Sequence, residues 1–139
     1  MLNMNRMMLV FYSAVIVLTG CGNQDSVERT KVEGMVTLNG TPVEKGVITF
    51  IPTGKGVAAG TNIESGTYSI KEENGPSPGD YRVEIDSSVP TGKKIMSTDG
   101  ESKVDEFKSG IPEKYNRQTE LKVTIKKGNN QYKFDLEVK

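Results

Sequence analysis

The residue best equipped to react is the only cysteine of the chain, Cys21. A thiolate is a strong nucleophile, and the small Thr19 and Gly20 just before it leave the preceding peptide bond open to a peptidase. With no second cysteine there can be no intramolecular disulfide. The sequence also contains no His, which removes the usual general base and the commonest transition-metal ligand. Ser-His-Asp and Cys-His hydrolysis are thereby excluded, as is a structural zinc site. Oxygen ligands of the kind calcium takes occur at Asp99, Glu101, Asp105 and Glu106. The pattern Asp-x-Asp-x-Asp-Gly is absent there, and Lys93, Lys94, Lys103 and Lys108 interleave, so a solvated loop face is expected instead. No spacing selects a carboxylate pair for glycoside hydrolysis, and Gly54-Lys55-Gly56 lacks the rest of a phosphate-cradling loop. No catalytic residue, metal or cofactor is expected.

Cys21 sits at the end of a recognisable leader. Residues 1–6 carry one positive charge, Arg6, and Met7 to Leu18 is apolar but for Ser13. That stretch is too short to span a bilayer, which needs about 20 residues, and it has the form of a secretory signal peptide. Leu18-Thr19-Gly20-Cys21 resembles the bacterial lipobox at every position. The resemblance implies cleavage before Cys21, diacylglyceryl transfer to its sulfur and acylation of its freed amine. Two or three acyl chains give stable anchoring where one is marginal. Gly22 follows, where an Asp would imply inner-membrane retention, so the outer membrane is the favoured location by that analogy. Residues 22–29 are polar and read as a short tether.

The elements behind the leader are strands. Val32, Gly34, Val36 and Leu38 share one face and Glu33 and Thr37 the other, the period of two expected when one face is buried. The same alternation marks Ile48 and Phe50, Tyr68 and Ile70, and Tyr81, Val83 and Ile85. It is clearest in Leu121, Val123 and Ile125 and in Tyr132, Phe134, Leu136 and Val138. Asn39-Gly40, Ser65-Gly66, Pro78-Gly79 and Gly128-Asn129-Asn130 are turn signals between them. With a weaker run over 57–64, the expectation is an all-β domain, a sandwich of about seven antiparallel strands over residues 30–139. The irregular segment 87–118 is expected to be a functional or solvated connection, with one or two helical turns over 102–108. Ile111-Pro112 is expected to re-enter the sandwich, with Tyr115 over a core edge.

The pattern Val32-x-Gly34-x-Val36-Thr37-Leu38-Asn39-Gly40-x-Pro42-Val43-x-x-Gly46-Val47-x-x-Phe50 resembles the start of carboxypeptidase-regulatory-like domains. Gly66-Thr67-Tyr68-Ser69-Ile70 and Pro78-Gly79-Asp80-Tyr81-Arg82-Val83 fit the same group, and Ile111-Pro112-Glu113-Lys114-Tyr115-Asn116 resembles a subfamily of small bacterial envelope lipoproteins. The resemblance implies a transthyretin-like (prealbumin-like) sandwich of seven strands. Glu64-Ser65-Gly66 departs from the Asp-rich turn of many relatives, which argues against metal in that hairpin. Some sandwiches of related shape carry a Lys–Asn/Asp isopeptide bond; Lys31 and Asp135 hold the corresponding places, but both fall on the outward register, whereas that chemistry needs a buried Lys.

The charges match this reading. Lys and Arg together number 18, as do Asp and Glu, and loss of Arg6 with the leader leaves 17 basic against 18 acidic residues. Such a balance gives no reason to expect nucleic-acid binding. The function expected is a non-enzymatic, lipid-anchored β-sandwich of the cell envelope, acting as a structural or interaction module. Its partners are the membrane, through Cys21, and an envelope protein or glycan. The alternative is a carbohydrate- or peptide-binding module that uses the 87–118 loop or an edge strand. A glycan binder should expose aromatic platforms, yet there is no Trp and the five Tyr are mostly committed to core positions or the leader.

Overall fold

The computed structural model describes residues 27–138. The leader, Leu18, Thr19, Gly20, Cys21 and most of the tether lie outside them.

Alternation in the sequence becomes alternation across a sheet. Ten strands follow in order: β1 (Lys31–Leu38), β2 (Thr41–Pro42), β3 (Lys45–Pro52), β4 (Ala59–Glu64), β5 (Thr67–Ile70), β6 (Gly79–Asp86), β7 (Ser88–Met96), β8 (Lys103–Ser109), β9 (Lys122–Ile125) and β10 (Asn129–Leu136). Eight belong to one sheet of order β10-β1-β5-β4-β3-β6-β9, with β2 on β1; β7 and β8 form a second sheet of their own. Strands β4 and β5 are joined by one pair, Glu64–Thr67. The long sheet bends at that narrow join, and its two halves face each other as a sandwich-like, all-β body. Across the far side, the Tyr132 hydroxyl on β10 donates to the Thr124 carbonyl on β9 and ties the two ends of the sheet together.

The core is what the alternating positions bury. Val32, Val36, Ile48, Phe50, Tyr81, Val83 and Ile85 are wholly inaccessible, and Ile63, Ile125 and Leu136 nearly so. Each such side chain contributes about 1.5–3 kcal/mol on leaving water. The reversals at Asn39-Gly40 and Ser65-Gly66 share one geometry, with φ of 49° and 80° in the first and 49° and 77° in the second. Positive φ at both central residues is the turn whose twist matches that of the flanking strands.

Three features differ from the sequence reading. First, β1 and β10 pair in parallel, Lys31 with Asn129 through Leu38 with Leu136, whereas the other pairs are antiparallel. Strand β9 runs antiparallel to β6 and returns to the end where β1 begins, so the short turn at residues 126–128 starts β10 beside the start of β1. Second, residues 102–108 are not helical: Lys103–Ser109 is a strand. It pairs in antiparallel register with Ser88–Met96 across the Asp99-Gly100 turn, and that cross-strand ladder wins over a helical turn. Third, β10 ends at Leu136, so Val138 continues the pattern in sequence but is 54% exposed. Ile111 is buried and Tyr115 packs against the core edge, as expected.

The body has two distinct poles. At one, the Thr30 amide and hydroxyl both donate to the Pro76 carbonyl at 3.0 Å, Arg29 donates to the Gly75 carbonyl at 3.1 Å, and Lys127 pairs with Glu28 at 2.8 Å. Strands β1 and β6 both start there and run to the other pole, about 26 Å away for eight residues of strand. The β7–β8 hairpin leaves from that second pole, at Asp86 and Ser87.

Candidate functional site

Two surfaces stand apart from the rest of the body. The first is an open concavity of about 860 Å³ on the outward side of β10, β1 and β5, with Asn62 and Glu64 of β4 as its wall. Most of its lining residues are polar or charged, set around one exposed apolar side chain, Met35. Glu33 is held there by Lys31 at 2.6 Å and by the Gln131 amide at 3.2 Å. The Lys31 hydrogen bond foremost, then Gln131, lowers the Glu33 pKa below the ordinary value.

Tyr68 and Tyr132 line the same concavity from beneath. The Tyr68 hydroxyl lies against Gly34 and donates to the Tyr132 carbonyl at 2.9 Å. A Cβ on Gly34 would sit 1.8 Å from that carbonyl oxygen, so the arrangement needs glycine. Burial, and secondarily the nearby Tyr132, pushes the Tyr68 hydroxyl well above its usual pKa; burial alone raises that of Tyr132. Tyr68 is 3% exposed, so it offers no platform for a sugar ring. Tyr81 is likewise consumed in structure, bonding Ser77 and the Val57 carbonyl.

The second surface is the hairpin. Of the nine large apolar residues that are exposed among the described residues, five lie on it: Val89, Ile95, Met96, Val104 and Phe107. Directly opposed residues share a face, so Pro90 with Phe107 and Met96 with Lys103 lie on one side, and Ile95 with Val104 on the other. Both faces therefore carry apolar side chains into solvent. Beyond its root, the hairpin makes no extensive contact with any strand of the body. At that root an apolar crevice of about 390 Å³ opens between Leu38, Pro42 and Val43 on one side and Val89, Pro90 and Ile111 on the other.

The four acids singled out in the sequence all fall on this hairpin, in separate roles. Asp99 accepts the Glu101 amide in the tip at 2.9 Å, and this bond is the main cause of its lowered pKa. Asp105 pairs with Lys94 at 3.4 Å, and Glu106 accepts the Thr91 hydroxyl at 2.6 Å. Among the described residues, no three potential ligands converge on one point. Lys31 and Asp135 are also kept apart: their register partners are Asn129 and Thr37, at opposite ends of the β1–β10 pair, about 20 Å from each other. Lys31 holds Glu33, and Asp135 accepts the Thr37 hydroxyl at 2.6 Å. That hydroxyl, then Lys133, lowers the Asp135 pKa.

What the sequence reading missed is the open edge of β8 and Phe107 upon it. The signal was present in Asp99-Gly100, a hairpin dipeptide flanked by short alternating runs, but the adjacent acids Asp105 and Glu106 obscured it. Compared with known proteins, the chain matches no family model, no curated protein and no solved structure.

Proposed function

We propose that this protein is a lipid-anchored lipoprotein of the bacterial envelope, with a carboxypeptidase-regulatory-like sandwich that serves as a non-enzymatic interaction module. The observation that carries the reading is Leu18-Thr19-Gly20-Cys21 directly after a short apolar leader. Acyl chains on Cys21 would hold it to a membrane, with the outer membrane favoured by Gly22. The arrangement of the body supports a display role. Eight tether residues, 22–29, reach at most about 30 Å, so the Thr30 pole stays near the lipid. The hairpin, at the other pole, is then presented away from that membrane. Exposed apolar side chains in this number mark interaction surfaces.

A glycan-binding role draws on the concavity around Met35, but it lacks the exposed aromatic ring that sugar recognition favours. The interaction reading is therefore preferred.

The test is the N-terminal mass of the full chain purified from bacterial membranes, wild type and Cys21→Ser. Expected is a mature chain that begins at Cys21 with added acyl mass, and a variant that retains residues 1–20 without lipid. An unmodified Cys21, or a Cys21→Ser chain of unchanged processing and mass, would sink the proposal.

A further inference from the structure

The bonding pattern of the hairpin fixes which backbone groups are spare. At its root the Gly110 amide donates to the Ser87 carbonyl at 2.9 Å, and near its tip the Ser97 amide donates to the Ser102 carbonyl at 2.7 Å. In an antiparallel pair, inward and outward positions alternate along each strand. Bonds to β7 therefore fall at the even-numbered residues of β8. The N–H and C=O groups of Lys103, Asp105, Phe107 and Ser109 point to the open side.

The other long edge of the hairpin is blunted. Pro90, opposite Phe107, has no N–H to offer, and a bulge with Gly92 at φ 80° interrupts β7 between Pro90 and Lys94. In the body, β9 is only four residues long and its Thr124 carbonyl is taken by Tyr132. Strand β8 has no such protection: seven residues, no Pro, no bulge and a regular row of spare groups.

We propose that the open edge of β8 pairs antiparallel with β8 of a second copy of this chain, about a two-fold axis through Phe107. The side chains choose both the partner and the register. With the axis at Phe107, each Glu106 lies directly opposite the partner's Lys108, so two opposite-charge pairs form on one face. Phe107 meets the partner's Phe107 on the other face, extending a row that runs Pro90, Phe107, partner's Phe107, partner's Pro90. Asp105 falls opposite the partner's Ser109. The two backbones exchange bonds at Phe107, where both sets of spare groups face each other, and Glu106 and Lys108 occupy the closer, non-bonded positions. A register two residues toward the tip would set Asp105 against the partner's Asp105, which is destabilising.

Glu106 is ready for this role. Thr91 engages one of its oxygens, Oε2, and leaves Oε1 for the partner's lysine. Lys108 has no carboxylate within salt-bridge distance among the described residues. An isologous contact of this kind closes on itself as a dimer and leaves no free β8 edge to propagate.

The experiment is oxidative cross-linking of the full chain in membranes, with cysteine at Phe107→Cys or Lys103→Cys. The two residues at position 107 face each other across the axis, within disulfide reach, whereas those at 103 are about 26 Å apart. A covalent dimer at 107 well above the level at 103 is expected. In the Phe107→Cys background, Glu106→Lys or Lys108→Glu alone should lower the cross-linked fraction about tenfold, because two attractive pairs become repulsive. The double reversal should restore it. Equal yields at 103 and 107, no dimer at 107, or single reversals without effect would each overturn the proposal. A disulfide in wild type would instead report an unlipidated Cys21, and so bears on the anchor alone.

Discussion

The sandwich body and the β7–β8 hairpin spend the same kinds of side chain in opposite ways. In the body, Val32, Phe50 and Val83 alternate with polar residues and lie wholly inside. In the hairpin, Val104 and Phe107 stand on opposite faces among charged neighbours and remain about half exposed, because no layer of the described residues covers either face. Alternation buries a strand only when a second layer exists to receive it. A lone two-stranded ribbon has no such layer and is marginal by itself. The hairpin therefore belongs to the low end of local stability, and its apolar side chains stay in solvent.

The comparison can be broken most severely from the core. Phe50→Ala removes a fully buried ring and should lower the stability of the body by about 3–5 kcal/mol in urea unfolding. Phe107→Ala, the same deletion on the hairpin, should change it by less than about 0.5 kcal/mol when measured on the monomer. Similar losses from the two variants would mean that the hairpin packs on the body after all.

Gly34→Ala tests the close approach inside the sheet. Its new Cβ would meet the Tyr132 carbonyl and disturb the Tyr68 bond, for an expected loss of about 1–3 kcal/mol. Stability unchanged by this substitution would show that β1 and β10 can part without cost.

Tyr68→Phe is gentler, removing one hydrogen bond at a cost of about 1 kcal/mol. It also carries a pH signature. The Tyr68 pKa is raised in the folded state, chiefly by burial, so the folded chain holds the proton more tightly than the unfolded chain. That contribution is full below the unfolded tyrosine value near 10 and is lost as pH rises from there through the higher folded value. Unfolding midpoints measured from pH 9 upward should fall more steeply for wild type than for Tyr68→Phe.

Only a small effect is expected from the largest deletion. Excising residues 89–108 and joining the stumps with Asn-Gly keeps the Ser87–Gly110 bond at the root. The body should retain its unfolding free energy in urea to within about 1 kcal/mol while losing any self-association. A collapse of the midpoint would make the hairpin part of the fold rather than an appendage to it.

Much of the body was legible from residues 30–86 and 121–138. Val32, Val36, Ile48, Phe50, Tyr81, Val83 and Ile85 announce their burial by period, and Asn39-Gly40 and Ser65-Gly66 announce their turns by type. These are local properties: pleat geometry puts every second side chain on one face, and positive φ favours few residue types. The apolar run over 7–18 and Leu18-Thr19-Gly20-Cys21 are local in the same sense, since their pattern lies in adjacent residues. What only the tertiary structure decided is relational. The parallel pairing of β1 with β10, the placement of Thr30 and Ser87 at opposite poles, and the isolation of β7 and β8 all depend on segments far apart in sequence. Whether Phe107 becomes core or surface is settled by the absence, among the described residues, of a layer against it, and no residue near it in sequence encodes that absence.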